Sequence, residues 1–319
     1  MAVYTQVSAE ALAAFLTRYD VGTPVSAKGI AEGVENSNYL VETSGGGAEG
    51  GATRFILTLY EKRVDEADLP YFIGLTTHLA DAGLPVPRPI RDREGRALQR
   101  LEGRAACLIG FLPGVSVGEV AAPVAHEAGR SLGRLHAAVA DFSEIRANEW
   151  SLTGWQRLAA SLGDRLDEIE PGLTARVAHE LTTLDAVWPA DLPRGTIHAD
   201  LFPDNVLILD GRVTGLIDFY FACTDSLAYD LAVTHAAWAF DDMGDWRGDA
   251  VGAALIAGYE AERPLIDAER AALPILCRGA TLRFLLTRAH DWLTTPADAL
   301  VTRKYPLAFL KRLDHYRAR

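Results

Sequence analysis

Three oxygen-bearing side chains, Asp200, Asn205 and Asp218, fall in one stretch running from Thr196 to Phe219. Val206 to Leu209 is an apolar run. Asp210-Gly211 is the pair that closes a two-residue β-turn, because both turn positions need positive φ. Val213 to Ile217 reads as the returning strand. With Asp210 and Gly211 as the loop, Leu209 faces Arg212 and Asn205 faces Leu216. Side chains alternate faces along a strand, so Asn205, Leu216 and Asp218 share one face. Asp218 becomes the diagonal neighbour of Asn205, at roughly 7–8 Å. That spacing lets two oxygen ligands reach one divalent ion. No thiolate or imidazole cluster stands nearby, so the donors point to Mg²⁺ rather than zinc. Asp200, in the loop feeding the first strand, is placed to act as a base beside such an ion. His198 braces that loop by hydrogen bonds.

The rest of the chain must position those groups. Its 319 residues, 49% apolar and 23% charged, suffice for two lobes with sizeable cores. A net charge of −12 leaves no broad basic face, which argues against nucleic acid as a partner. An anionic nucleotide would need local positive charge, Mg²⁺ and backbone amides. Cys107, Cys223 and Cys277 are widely spaced in apolar surroundings and read as buried free thiols. No leader-like apolar segment opens the chain, and no window reaches the ~18 continuous apolar residues of a membrane span. A cytoplasmic protein is expected, with no membrane partner.

Ser8 caps a short helix with Leu12, Phe15, Leu16 and Tyr19 as its apolar stripe. Strands alternate with loops from Ala27 to Thr58. Leu69 to Ala82 is helical and stops at Gly83, and the prolines of 84–89 impose an extended connector. Ala105 to Phe111 is a buried strand. The boundary falls near residues 112–116, dividing a smaller N-terminal lobe, 1–112, from a mostly helical one, 113–319. In the latter, Val124, Ala128, Leu132, Leu135 and Val139 form one stripe, with His136 as a packing histidine. Further helices are expected over 156–166, 174–184, 230–240, 250–261 and 267–292.

An aspartate, an asparagine and then a second aspartate after a return strand resemble the catalytic loop of kinases. His198-Ala199-Asp200 with Asn205, followed by Ile217-Asp218-Phe219, resembles the aminoglycoside-phosphotransferase-type kinases, which usually write His-Gly-Asp. The resemblance implies an α+β, bilobal protein-kinase-like fold: an antiparallel sheet plus helix in the N-terminal lobe and a larger helical C-terminal lobe. It implies ATP and Mg²⁺ as cofactors. The nucleotide-covering turn would be Glu32 to Asn38, with Gly33 in the loop and Asn36 and Ser37 as phosphate donors. Backbone groups of Ile109 to Phe111 would meet the adenine edge. Thr58 stands where such kinases carry a phosphate-binding lysine, and Phe72 near the position of its glutamate partner. Lys62, on the same strand face if the strand continues, is the proposed substitute; Arg54, Arg63 and Lys28 are further candidates.

Three more stretches carry a closer likeness: Glu35 to Thr43 with Phe55 to Lys62, Asp218 to Asp225 with Tyr229-Asp230-Leu231-Ala232, and Arg278 to Trp292. Together they resemble the bacterial homoserine kinases built on the aminoglycoside-kinase fold. This implies ATP-dependent phosphorylation of L-homoserine at its hydroxyl, in the threonine branch of amino-acid synthesis. A carboxylate calls for an arginine fork, which Arg283 or Arg288 could supply. The ammonium calls for Glu35, Asp225 or Asp230. Tyr220, Trp238 and Phe240 could wall the pocket. A kinase of choline, ethanolamine or an aminoglycoside, and a non-catalytic nucleotide-binding module, stay open as alternatives. The sequence leaves the oligomeric state open too.

Overall fold

Ser8 opens the first helix, α1 (Ala9–Leu16), its hydroxyl accepting the Ala11 N–H at 3.1 Å. In the computed structural model, residues 4–30, 36–45, 53–61, 64–295 and 303–319 are described. Gly33, Glu35 and Lys62, together with Arg63 and the glycine run at 46–51, lie outside them. The chain forms two compact units, Met1–Gly114 with Thr214–Tyr220, and Val115–Val213 with Phe221–Arg319. The first unit therefore includes Thr214–Tyr220, a segment that sequence alone assigns to the C-terminal lobe.

In the first unit a five-stranded antiparallel sheet runs in the order β1-β2-β3-β5-β4. The strands are β1 (Thr23–Ile30), β2 (Asn36–Ser44), β3 (Thr53–Tyr60), β4 (Leu98–Leu101) and β5 (Arg104–Gly110). Leu12, Phe15 and Leu16 recur at helical spacing, so α1 buries one face against Val41, Leu57, Leu59 and Leu108 of the sheet. The helix α2 (Leu69–Asp81) buries Phe72, Leu75 and Leu79. It ends, as expected, at Gly83, whose φ of +80° suits a residue without Cβ. β4 was not anticipated. Its turn into β5 uses Glu102 and Gly103, both at positive φ.

The second unit is mostly helical: α3 (Ala122–Ala138), α4 (Leu152–Leu162), α5 (Leu173–Val187), α6 (Leu227–Trp238), α7 (Asp249–Glu262), α8 (Asp267–Thr294) and α9 (Leu307–Arg317). Short strands frame its working loop. They are β6 (Val115–Ser116), β7 (Arg194–Ile197), β8 (Val206–Leu209), β9 (Arg212–Leu216) and β10 (Cys223–Ser226). β7 pairs with β10, and the other three run in the order β6-β8-β9, with the unit boundary inside β9. α3 and α7 touch backbone to backbone. A Cβ on Gly129 would lie 1.9 Å from the Leu255 carbonyl oxygen, and one on Gly258 would lie 2.0 Å from that of His126. Side chains of α6 and α8 fill the core with Trp155, Leu184 and Phe309. All three cysteines are free and buried, with burial pushing each thiol up to about 12. Among the described residues, no helix is long and apolar enough to cross a membrane.

His235 on α6 lies 2.6 Å from the Tyr316 hydroxyl, and burial lowers its imidazole from 6.5 to about 4. The unfolded chain therefore binds a proton between those values that the folded chain refuses. Stability from neutral His235 is complete above pH 6.5 and drains away as pH falls toward 4. Urea melts across this window should show a loss of about 3 kcal/mol attributable to this group. His235→Gln should flatten that slope; an unchanged slope would remove His235 from the account.

Candidate active site

The loop from Ile197 to Asn205 makes a sharp turn at Ala199, whose φ of +63° lies in the left-handed region. A glycine would sit there without strain; alanine does so at a cost of order 1 kcal/mol or more. Neighbouring groups fix the turn. Asp230, fully buried on α6, accepts the N–H of His198 on Oδ2 and that of Ala199 on Oδ1, each at 2.7 Å. Arg283 of α8, 1% exposed, donates from Nη1 to the Ala199 carbonyl at 2.6 Å. Trp238 donates from Nε1 to the Leu201 carbonyl at 2.9 Å.

Those bonds present Asp200, partly exposed, at the end of the turn. Asn205 donates from Nδ2 to the Asp200 carbonyl at 2.8 Å and to its Oδ2 at 3.2 Å. The amide oxygen of Asn205 is then the atom with lone pairs for a cation. His198 is completely buried, and its Nδ1 lies 3.3 Å from the Asp200 amide nitrogen. The hairpin turn also has its expected form, with Asp210 at φ +50° and Gly211 at +73°. The predicted face needs correction. Asn205 ends a 3₁₀ turn, Pro203–Asn205, and β8 begins only at Val206. Pro203 has no N–H to give a ladder, which favours the turn over an earlier strand start. Asp218 follows β9, at φ +67°, and belongs to the Thr214–Tyr220 segment of the first unit.

Behind Asp230 a buried chain of polar contacts runs outward. His136 Nε2 is 2.9 Å from Asp230 Oδ2, and its Nδ1 is 2.8 Å from the Tyr259 hydroxyl. Arg263 donates to that hydroxyl at 2.9 Å and pairs with Glu269 at 2.8 Å. Burial pushes the Asp230 carboxyl upward, but the hydrogen bond and charge of His136 and the contacts to His198 outweigh it, holding the group below 3.8. Asp230 is thus a loop anchor, not an ammonium ligand. Nothing in local spacing foretold this, because the partners are far apart in sequence.

Several other expectations are corrected. Arg283 spends its guanidinium on Ala199 and lies against the rings of Phe221 and Phe284, so it supports the loop. Asp225 on β10 pairs with Arg194 at 3.1 Å and accepts from Asn148 at 2.6 Å, so its charge is already balanced. Tyr220 packs edge-on to Tyr60 and Phe72, at 5.8 and 5.6 Å between centroids, within the first unit. Asn36 and Ser37 lie in β2, not in a turn, and both are buried. The Ser37 hydroxyl accepts the N–H of Tyr4 and of Thr5 and donates to Glu61, while Asn36 accepts the Glu61 N–H. Ile109 stands opposite Ile56 in the sheet. The N–H groups of Gly110 and Phe111 go to the carbonyls of Arg88 and Arg54, so neither reaches out to an adenine here. Thr58, at the usual lysine position, is 2% exposed and donates to Asn38 at 2.8 Å.

The sequence profile of the phosphotransferase enzyme family matches residues 26–268. The chain belongs to the phosphotransferase enzyme family. Curated members of high similarity include a homoserine kinase from Gluconobacter oxydans (strain 621H), 54% identical over 100% of this chain and 99% of the relative. A homoserine kinase from Methylobacterium radiotolerans is 55% identical over 99% of this chain and 96% of its own. Solved structures share the fold at low identity. An amicoumacin kinase in complex with AMP-PNP and Ca²⁺ has a TM-score of 0.69 at 15% identity, covering 98% of this chain and 94% of that one. A microcompartment-associated aminopropanol kinase gives 0.68 at 20%, covering 98% of each. The α+β fold of a phosphotransferase, with an antiparallel N-terminal sheet and a helical C-terminal part, is therefore as expected.

For a phosphotransferase using ATP, the donor set fits a hard divalent cation. Within the loop, Asp200 and Asn205 offer carboxylate and amide oxygens, the ligands magnesium takes. Among the described residues, no group of three or more His, Cys, Asp or Glu side chains is arranged as a metal cluster.

Proposed function

We propose that this chain transfers the γ-phosphoryl group of ATP to the hydroxyl of L-homoserine, giving O-phospho-L-homoserine for threonine biosynthesis. The observation that carries this reading is identity above half, over the full length, to curated homoserine kinases. The loop agrees with it. Asp200 takes or orients the proton of the attacking hydroxyl. Asn205 would hold Mg²⁺, which would neutralise charge on the phosphates of ATP. Asp230, Arg283 and Trp238 preorganise the turn, so the reacting geometry does not have to be assembled during catalysis.

The test is ADP release with ATP, Mg²⁺ and a panel of acceptors: L-homoserine, choline, ethanolamine and an aminoglycoside. Homoserine should be turned over with kcat/KM at least about 100-fold above the others, since a site that hydrogen-bonds a substrate group rejects analogues lacking it. Comparable use of choline or an aminoglycoside would reassign the acceptor. Binding of ATP without turnover of any acceptor would make the chain a nucleotide-binding module.

A further inference from the structure

Arg288 lies one helical turn beyond Phe284 on α8, so the two side chains share a face. Phe284 meets Phe202, in the loop between Asp200 and Asn205, with ring centroids 4.9 Å apart. The face that carries Arg288 is therefore the one lying against the Asp200 loop. The guanidinium sits over the Phe309 ring of α9, 4.4 Å from its centroid. Arg312 approaches the same ring at 4.1 Å.

The three arginines of this region differ in what their donors do. Arg283 gives Nη1 to Ala199, and Arg312 gives Nη1 to the Ala236 carbonyl and Nη2 to that of Asp241. Arg288 makes no hydrogen bond and no ion pair among the described residues, yet it is only partly exposed. Asp204, a nearby carboxylate, pairs with Lys304 instead. Burial brings the Arg288 guanidinium down to about 10, against the pull of Asp242, Asp204 and Asp200, and leaves it cationic at neutral pH. A half-buried charge without a partner is unfavourable, and a second cation on the same ring makes it more so. A bound anion would relieve both. Stacking on Phe309 also holds the fork in one plane, which suits the two oxygens of a carboxylate.

We infer that Arg288 is the carboxylate anchor of the acceptor, binding the α-carboxylate of the amino-acid substrate while Asp200 engages its hydroxyl. In extended homoserine these two groups are about 5 Å apart, a span that one turn of α8 and the loop beside it can cover. This rests on the homoserine reading and adds a reason for its selectivity: acceptors with a carboxylate are favoured over otherwise equal amino alcohols.

The experiment compares L-homoserine with 3-aminopropan-1-ol, which is homoserine without its carboxylate. Wild type, Arg288→Met and Arg288→Lys are measured with both acceptors and with ATP varied. In Arg288→Met the KM for homoserine should rise and kcat/KM fall about 100-fold, as expected for loss of a charge-assisted fork. The KM for ATP and kcat/KM for 3-aminopropan-1-ol should stay within about two-fold of wild type, so the preference between acceptors collapses. Arg288→Lys should fall between the two, since an ammonium keeps the charge and loses the fork. Equal losses on both acceptors, a raised KM for ATP, or unchanged homoserine kinetics would each overturn the assignment. If Arg288→Met fails to fold, the KM-against-kcat split of Arg288→Lys decides alone. Wild type that does not phosphorylate homoserine would instead overturn the reading beneath it.

Discussion

Asp200→Asn should lower kcat about 1,000-fold while leaving the Kd for ATP within about three-fold of wild type. The amide has the shape of the carboxylate, so the hydrogen bonds that set the loop need not change. Those bonds run from His198 and Ala199 to Asp230, from Arg283 to Ala199 and from Trp238 to Leu201. None of them uses the Asp200 carboxylate. Asn205 does contact Asp200 Oδ2, at 3.2 Å, and an asparagine oxygen at that position can still accept. The substitution therefore removes basicity and the negative charge while leaving these named loop bonds in place. Steady-state ADP release gives kcat, and calorimetric titration with a non-hydrolysable nucleotide gives affinity. A kcat within ten-fold of wild type would dismiss Asp200 as the proton acceptor. A lowered melting temperature would show that the carboxylate also holds the loop together.

Asp230→Ala should cost about 3–5 kcal/mol of stability and reduce kcat by at least about 100-fold in whatever fraction stays folded. Its two oxygens serve the N–H groups of His198 and Ala199 and the ring of His136, all buried. Removing it strands three donors and releases the turn at Ala199, whose φ of +63° alanine does not favour. The pH dependence has a defined sign. Contacts with His136 and His198 hold the folded carboxyl below the ordinary 3.8, despite burial acting upward. The stability it contributes is complete above that value and is lost as pH falls below it. Urea unfolding at neutral pH and near pH 3 should show the variant missing this acid-sensitive increment. A variant within about 1 kcal/mol of wild type and fully active would remove Asp230 from the loop's support.

Legibility in the sequence followed the range of the interaction. Ser8, the stripe of α1 and the stop at Gly83 depend on neighbours a few residues away, and each could be read directly. The Asp210-Gly211 turn, too, is fixed by two backbone angles. Residue spacing puts Asn205 one element off because Pro203 shortens the strand, an effect that hydropathy does not record. Arg283, Arg288 and Arg312 look alike in sequence, yet one braces a loop, one ties down a helix end and one keeps its fork open. Only the packing of α8 against α9 separates them. The charge of Asp230 is plain in the sequence, but its use is set by a loop 31 and 32 residues earlier in the chain. Ser37 looked like a turn former, and its partners are the backbone of Tyr4 and Thr5.

The glycine contact between α3 and α7 restricts how this protein can diverge. At Gly129 and Gly258 the facing atoms are main-chain oxygens, which no rotamer change can move aside. Homologues that retain this crossing must keep hydrogen at both positions. A homologue that substitutes either one should have re-angled the helix pair, carrying the histidine and tyrosine mounted on it away from each other, and would need a different way to hold the aspartate behind the loop.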